Sequence, residues 1–335
     1  MRRILMSLLV LMFFAGLLVF GAVGWWLHEP LTLRPQPGSQ VLDLGIEPGT
    51  PAQGVAEAVR ASGVDVPAVW LYAWFRLSGQ ARQLKAGSYE ITPGTTPRSL
   101  LSMLVRGEES LKSVTLVEGW NFTQVRAALQ KAEALKPDAQ GLSPQAIMEQ
   151  LGKPGVHPEG RFFPDTYTYA KGASDLAVLK RATRAMDKRL EAAWALRSPD
   201  TPLQTPEQAL ILASIVEKET GKPADRAEIG GVFSNRLRIG MLLQTDPTVI
   251  YGMGAQFDGN LRKRDLLSDT PYNTYTRPGL PPTPIAMPGK AALLAAVKPA
   301  QTKALYFVAR GDGSSQFSTT LDEHNRAVNK YQRGQ

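Results

Sequence analysis

The residue best suited to acid–base chemistry is Glu219, near the end of a predicted helix. That helix begins at the capping box Thr205-Pro206-Glu207-Gln208 and runs to Thr220, just before Gly221. A step of three or four residues back from Glu219 reaches Ile215 and Val216, so the carboxylate prolongs the apolar stripe of the helix. Apolar neighbours and the negative end of the helix dipole both disfavour the charged carboxylate, so we expect a raised pKa. A carboxyl group of that kind can act as a general acid near neutral pH.

The charged neighbours of Glu219 leave a second interpretation open. Glu217 lies over Ala213 and Ser214, on a less apolar face of the same helix. Glu219 itself could be a residue at the edge of the buried face, either solvated or paired with an arginine such as Arg226. The pattern of residues alone does not decide between a general acid and such a surface carboxylate.

Polar and aromatic residues gather in two later segments. In residues 243–252 a polar cluster turns into an apolar run, and Asp246-Pro247 is a turn signal. Residues 271–288 combine tyrosines and an asparagine with closely spaced prolines, whose fixed φ angles order a loop in advance. Such a loop suits a groove that binds glycan, and a rigid surface loop without a ligand is the alternative.

A dense aromatic block precedes these segments, in residues 159–167. Phe162 and Phe163 favour core packing at a domain junction. Tyr167 and Tyr169 are open to two interpretations, because aromatic side chains with a polar tip fill cores and also stack on sugar rings.

The composition excludes several kinds of site. The chain has no cysteine, which excludes disulfides, thiolate metal sites and a lipid-modified cysteine. Its histidines, His28, His157 and His324, stand far apart, so we expect no metal and no other cofactor. The formal charge of +8 would suit nucleic acid, an anionic membrane or an acidic polymer. Because no basic run is interleaved with aromatic residues, we predict no nucleic-acid partner and favour a wall polymer that carries carboxylates.

The first segment predicts a membrane anchor. Residues Ile4 to Leu27 contain no charged residue and are long enough to cross a bilayer of about 30 Å as a helix. Arg2 and Arg3 precede this run, which by the positive-inside rule keeps the amino terminus cytoplasmic and the rest of the chain outside. A cleaved signal peptide is the alternative, but its apolar core is usually only about 7 to 15 residues long.

The exported part predicts an α+β fold. Its first portion has the order strand, helix, helix, strand, helix, in segments that include Val41–Ile46, a helix opened by Thr50-Pro51, Val66–Leu77, Gly87–Ile91 and Thr96–Leu104. After a strand at Val114–Val117 and a helix from Phe122 to about Ala132, the pattern becomes mixed. Later predictions are a helix at Asp225–Ile239, a helix at Lys290–Val297, a strand at Leu305–Ala309 and a helix from about Leu321 to Tyr331.

Several motifs together carry a family resemblance. They are Ala213-Ser214-Ile215-Val216-Glu217-Lys218-Glu219-Thr220, Asn235-Arg236-Leu237, residues 243–252, Tyr272-Asn273-Thr274-Tyr275 with Gly279-Leu280-Pro281-Pro282, and Lys85-Ala86-Gly87-Ser88-Tyr89. In these motifs the chain resembles the endolytic murein transglycosylases of the MltG (YceG-like) family. The resemblance covers nearly the whole chain. It implies a cytoplasmic stub and transmembrane anchor at residues 1–29, a LysM-like domain at 30–110 and a YceG-like catalytic domain at 111–335.

The resemblance also implies an activity. It is that of a lytic transglycosylase, which cuts nascent peptidoglycan strands internally between N-acetylmuramic acid and N-acetylglucosamine and so terminates glycan polymerisation. The family's catalytic glutamate falls on Glu219, which would protonate the glycosidic oxygen and then take the proton of the muramic acid 6-hydroxyl as a 1,6-anhydro ring closes. The groove residues implied are Gln244, Asp246, Tyr251, Tyr272, Asn273 and Tyr275, together with Asn235.

The implied setting is the inner membrane, crossed once, with the catalytic body in the periplasm or otherwise outside the cytoplasm. The implied partners are peptidoglycan glycan strands, with wall synthases (penicillin-binding proteins) and the division machinery as protein partners to be tested. A hydrolase of the same bond, with Asp246 or another acid activating water, is one alternative. A membrane-anchored scaffold that binds peptidoglycan without cutting it is another.

Overall fold

The computed structural model describes residues 2–35 and 40–334. The chain forms two compact units, Met1–Lys112 and Ser113–Gln335. Within the described residues the strands pair only in two-stranded sheets, and helices make up most of the remaining regular structure. The mixed α+β class is therefore confirmed.

The first unit opens with helix α1, Arg2–Trp26. Among the residues that the structure describes, no helix reaches the length and apolar content needed to cross a membrane. The transmembrane helix predicted for this segment is thus not confirmed.

A small α/β body follows in the same unit, in the predicted order strand, helix, helix, strand, helix. Strands β1 and β2 are antiparallel, with Leu44 opposite Tyr89. Burial alternates along β1, so one face of the hairpin meets the helices and contributes to an apolar core. The elements are β1 Leu42–Ile46, α2 Ala52–Ala61, α3 Ala68–Leu77, β2 Gly87–Ile91 and α4 Pro97–Arg106.

The second unit contains the remaining elements, apart from the first residues of β3, which begins at the boundary. β3 pairs with β4, and β5 pairs with β6 in antiparallel register. Short 3₁₀ and π turns follow α10 and α13. The elements are β3 Leu111–Thr115, α5 Phe122–Lys131, α6 Pro144–Gln150, β4 Thr166–Ala170, α7 Asp175–Ala195, α8 Pro206–Glu219, α9 Pro223–Arg238, α10 Asp246–Met253, α11 Lys263–Leu267, α12 Lys290–Val297, β5 Tyr306–Ala309, β6 Ser315–Ser318 and α13 Leu321–Val328.

Helix α8 is the central element of this unit. Every residue from Ala209 to Val216 is buried, because α7, α9, α10 and α12 pack around it. The glycines of α9 permit one of these close approaches: a Cβ on Gly230 would lie 2.3 Å from the carbonyl oxygen of Ala295 on α12. The middle of α8 is therefore buried, and its two ends, at Pro206 and Glu219, are nearer the surface.

The structure corrects the expected start of α8. Thr205 Oγ1 accepts from the Gln208 backbone N–H at 3.2 Å, as predicted. The Gln208 side chain, however, accepts from the backbone N–H of Gln204 at 2.6 Å, so the reciprocal half of the capping box does not form.

The far end of α8 and the start of α10 also differ from expectation. α8 ends one residue early, at Glu219, because Thr220 is extended and its Oγ1 accepts from the Lys222 backbone N–H at 2.9 Å. Asp246-Pro247, predicted as a turn, opens helix α10 instead. Proline fits there because the first helical turn needs no N–H donor from it.

The aromatic block belongs to the core of the second unit. Phe162 is 0% exposed and stacks on Phe122 with ring centroids 5.2 Å apart. Tyr167 and Tyr169 are also buried, and their hydroxyls donate to the backbone oxygens of Phe163 and Glu133. Core packing is therefore the correct interpretation of these tyrosines as well.

Candidate active site

Glu219 is the last residue of α8, and its carboxylate accepts a short hydrogen bond from Thr245 Oγ1. Burial is the main cause that raises the pKa of Glu219, to about 7. The bond from Thr245 lowers this pKa, the nearby charge of Asp246 raises it, and that of Arg236 lowers it. Glu219 as a whole residue is partly exposed to solvent. A carboxyl group with a pKa near neutral pH can both donate and accept a proton there.

Glu217 has different surroundings. Its side chain is 5% exposed, with Oε1 accepting from Arg226 Nη2 at 3.1 Å and Oε2 accepting from the backbone N–H of Gly289 at 2.8 Å. Arg226 therefore pairs with Glu217, and the alternative in which it pairs with Glu219 is wrong. Both oxygens of Glu217 are engaged in holding α8 to neighbouring segments, which leaves Glu219 as the available acid.

Arg236, on α9, braces the loop that carries Thr245. Arg236 is 7% exposed, and its Nη1 donates to the backbone oxygen of Leu243 at 2.8 Å while its Nε donates to that of Leu305 at 2.7 Å. Burial lowers the pKa of Arg236, and the charge of Glu219 opposes that effect. One buried cation thus fixes the loop before Thr245 and also favours the charged form of Glu219.

The loop itself is held in an unusual backbone conformation. Gln244 has φ of 48°, in the left-handed region that residues other than glycine rarely occupy. Its backbone N–H donates to the Thr274 carbonyl at 3.1 Å, and the next N–H, of Thr245, donates to Thr274 Oγ1 at 3.1 Å. A strained backbone conformation of this kind persists only where the surrounding contacts hold it in place, and such residues are common at functional sites.

Asp246 and Tyr275 form a pair beside Glu219. Tyr275 Oη donates to Asp246 Oδ1 at 2.5 Å, across the start of α10. Burial raises the pKa of Tyr275, as do Asp246 and Glu219 through their charges. The structure thus brings together three of the predicted residues, Glu219, Asp246 and Tyr275.

Tyr251 and Tyr272 form a second group. Their rings meet edge to face, with centroids 4.9 Å apart. Tyr251 Oη donates to Glu159 Oε2 at 3.0 Å, and Tyr272 Oη lies 2.9 Å from Thr283 Oγ1. Both rings are partly buried against the core that contains α8.

The two predicted asparagines bind backbone. Asn273 is 0% exposed, and its Nδ2 donates to the carbonyls of Leu266 and Ser268 at 3.0 and 2.6 Å. Asn235 Nδ2 donates to the carbonyls of Thr302 and Ala304 at 2.9 and 3.0 Å. Both asparagines therefore stabilise the conformation of loops. The predicted Gln244, in contrast, is exposed.

Sequence reasoning missed a buried acid, Glu159. It is 3% exposed, and burial raises its pKa to about 7 although Phe122 N–H donates to it at 3.0 Å. Thr245 and Arg236 were quoted within motifs but given no role. A glutamate among aromatic residues, at residues 159–167, was the one available signal for Glu159.

Other features of the second unit do not involve the predicted residues. A cavity of about 550 Å³ is lined by side chains that include Glu228, Lys303, Arg326, Lys330 and Tyr331, and by none of the predicted site residues. Within the described part of the chain, no cluster of three or more His, Cys, Asp or Glu residues could hold a metal ion.

The chain is similar to known proteins over most of its length. It is 31% identical over 327 residues to an endolytic murein transglycosylase of Bacillus subtilis (strain 168), covering 92% of this chain and 90% of that protein. It is 27% identical over 319 residues to an endolytic murein transglycosylase of Streptococcus pneumoniae serotype 2 (strain D39 / NCTC 7466), covering 85% of this chain but only 57% of that protein.

A solved structure is also similar to this chain over most of its length. The 2.6 Å crystal structure of a YceG-like protein from Listeria monocytogenes matches with a TM-score of 0.54 at 27% identity, covering 86% of this chain and 98% of that one. The profile of the YceG-like family matches residues 44–330, which include both carboxyl groups with a pKa near 7 and the loop that carries Thr245. The chain therefore belongs to the YceG-like family.

Proposed function

We propose that the protein is a lytic transglycosylase that cuts peptidoglycan strands endolytically, between N-acetylmuramic acid and N-acetylglucosamine, and leaves 1,6-anhydro ends. The observation that carries this proposal is the carboxyl group of Glu219, at the end of α8, with a pKa of about 7 and a hydrogen bond from Thr245. Relatives that align over 92% and 85% of this chain bear the name of that activity.

In the proposed reaction, Glu219 transfers its proton to the glycosidic oxygen as the bond from that oxygen to C1 of the muramic acid breaks. The C6 hydroxyl of the same sugar then bonds to C1 and gives its proton to Glu219, which restores the acid. The proton therefore moves from one sugar oxygen to another through a single carboxyl group, and no water is consumed. Asp246 and Tyr275 lie beside Glu219 and would orient the sugar.

The test is digestion of purified, uncrosslinked glycan by the wild type and by Glu219→Gln, with the products measured by mass spectrometry. Glutamine keeps the shape and an acceptor for Thr245 but has no acidic proton. We expect anhydro-ended products from the wild type and a loss of at least about a hundredfold in rate for the variant. Glu217→Gln is the matched comparison, since it alters the neighbouring carboxyl group that is bonded to Arg226.

The alternatives give different products. A hydrolase of the same bond would leave reducing ends, which differ from anhydro ends by the mass of one water. A peptidoglycan-binding scaffold would leave the glycan uncut, and Glu219→Gln would then keep full cellular function.

We further propose that residues 1–29 anchor the protein in the inner membrane, that residues 30–110 are a LysM-like domain and that residues 111–335 act outside the cytoplasm. The uncharged run from Ile4 to Leu27 supports the anchor. A tethered enzyme would meet glycan strands as the wall synthases extrude them, so penicillin-binding proteins and the division machinery are the partners to test.

A further inference from the structure

Helix α3 is apolar on both of its faces. Leu71 and Phe75 are 0% exposed and belong to the core of the first unit. On the other side, Val69 is 65%, Trp70 57% and Leu77 83% exposed. Large apolar side chains that are exposed together mark an interaction surface more often than isolated ones do.

This exposed face continues into α1 within the same unit. Trp26 meets Trp70 edge to face, with ring centroids 6.1 Å apart. Trp26 and Trp70 line an apolar groove of about 500 Å³. Its lining also includes Trp74, Leu77, Trp25 and other residues of the last turns of α1.

Polar contacts fix the end of α1 against this body. The backbone N–H of Arg98 donates to the carbonyl of Leu27 at 3.4 Å, and Arg98 Nη1 lies 3.3 Å from His28 Nε2. His28 Nδ1 lies 2.8 Å from the Gly24 carbonyl. The groove is therefore a built part of the unit, and the exposed side chains of α1, such as Leu18 (76%) and Phe20 (79%), extend from its edge.

We propose that the exposed face of α3 lies in the interfacial layer of a phospholipid bilayer, beside the point where α1 enters that bilayer. The inference rests on the anchor proposed above. Lipid is the favoured occupant because the face is continuous with the apolar surface of α1, and because tryptophan is enriched where a membrane meets water. Arg76, next to Leu77, is also exposed, and a guanidinium can bind the phosphate of a lipid headgroup.

The proposal gives the first unit a fixed orientation on the membrane. A helix in the interface buries its apolar face among the acyl chains and keeps its charged residues among the headgroups. Contact through α3 as well as α1 would hold the unit against the bilayer, whereas α1 alone would leave it free to turn on a tether.

Single spin labels provide the test, because the chain has no cysteine to remove. The full-length protein is labelled at Val69→Cys, Leu77→Cys, Leu18→Cys or Glu47→Cys and reconstituted into vesicles of zwitterionic and anionic phospholipids. The accessibility of each label to oxygen, which concentrates in lipid, is compared with that to a water-soluble nickel chelate. Glu47, exposed in the turn after β1, is the control position.

We expect the labels at positions 69 and 77 to favour oxygen, as the label at position 18 does, while the label at position 47 favours the chelate. If only the label at position 18 favours oxygen, the docking proposal is overturned and the anchor stands. If the label at position 18 favours the chelate, the anchor fails and the docking fails with it. Labels at 69 and 77 that neither reagent reaches would show a second copy of the chain on this face, and would also overturn the proposal.

Discussion

Glu217 and Glu219 are separated by one residue in the sequence, yet their surroundings differ in kind. Glu217 accepts hydrogen bonds from Arg226 and from a backbone N–H. Glu219 accepts one hydrogen bond from a hydroxyl, and nearby charges shift its pKa. Apolar spacing on α8 was enough to predict the raised pKa of Glu219. It could not predict which glutamate pairs with Arg226, because that depends on how α9 packs against α8.

Thr245 offers a direct test of what controls Glu219. Its hydroxyl bond lowers the pKa of Glu219, so Thr245→Val should raise that pKa. The fall of kcat/KM on the alkaline side, which follows loss of the acidic proton, should then move to higher pH. We also expect roughly tenfold lower activity, since one hydrogen bond that positions the acid is lost. Thr245→Ser, which keeps the hydroxyl, should restore both the rate and the pH profile; an unchanged profile in Thr245→Val would contradict this role.

Asp246 should have the opposite effect. Its negative charge raises the pKa of Glu219, so Asp246→Asn should lower it and move the alkaline fall of kcat/KM to lower pH. Asparagine keeps an oxygen that can accept from Tyr275, and the products should still carry anhydro ends. An unchanged pH profile in Asp246→Asn, with the fold intact by circular dichroism, would contradict this effect of Asp246 on Glu219.

At the scale of elements, helices with a periodic apolar pattern could be predicted, but contacts between distant segments could not. The helix at Lys290–Val297 was predicted with its observed ends. No helix was assigned to residues 175–195, although Val178, Ala182, Met186 and Leu190 have the spacing of a buried helical face, as α7 confirms. The hydrogen bonds that support Gln244 come from Thr274, a contact between distant segments that no local pattern encodes.

Glu159 links two of these elements, and we expect it to make stability depend on pH. It accepts from Phe122 at the start of α5 and from Tyr251 on α10. Burial raises its pKa from 4.5 to about 7 in the folded protein. The folded state therefore binds the proton more tightly than the unfolded state, and this contribution to stability is lost as pH rises from about 4.5 through 7.

Glu159→Gln should remove that dependence. Relative to the wild type, the variant should gain up to about 3 kcal/mol in free energy of unfolding between pH 4.5 and pH 8. Urea unfolding of the full-length protein in detergent at both pH values measures this difference. Tyr251→Phe, which removes a bond that lowers the pKa of Glu159, should make the dependence steeper, but only when Glu159 is present. Equal pH dependence in the wild type and Glu159→Gln would show that another group is responsible.

At the scale of the whole molecule, most of the family motifs lie on α8, which carries the acid, or on the loops and helices beside it, whereas Lys85–Tyr89 lies in the first unit. Four of the side chains predicted to line the groove are held by bonds to backbone or to each other: Asn273 and Asn235 bind backbone carbonyls, and Tyr275 binds Asp246. A motif match could therefore locate the site without separating residues that contact sugar from residues that hold loops.

Orientation across the membrane is the prediction that belongs to this largest scale. If α1 is an anchor with its amino terminus inside the cell, residues 30–335 lie outside the cytoplasm. Because the chain lacks cysteine, one introduced thiol reports its own side of the membrane. Leu321→Cys, at a position that is 54% exposed on α13, should react with a membrane-impermeant maleimide in intact spheroplasts. A cysteine inserted directly after Met1 should react only after lysis, and labelling of this cysteine in intact spheroplasts would reverse the proposed orientation and remove the growing wall from the reach of Glu219.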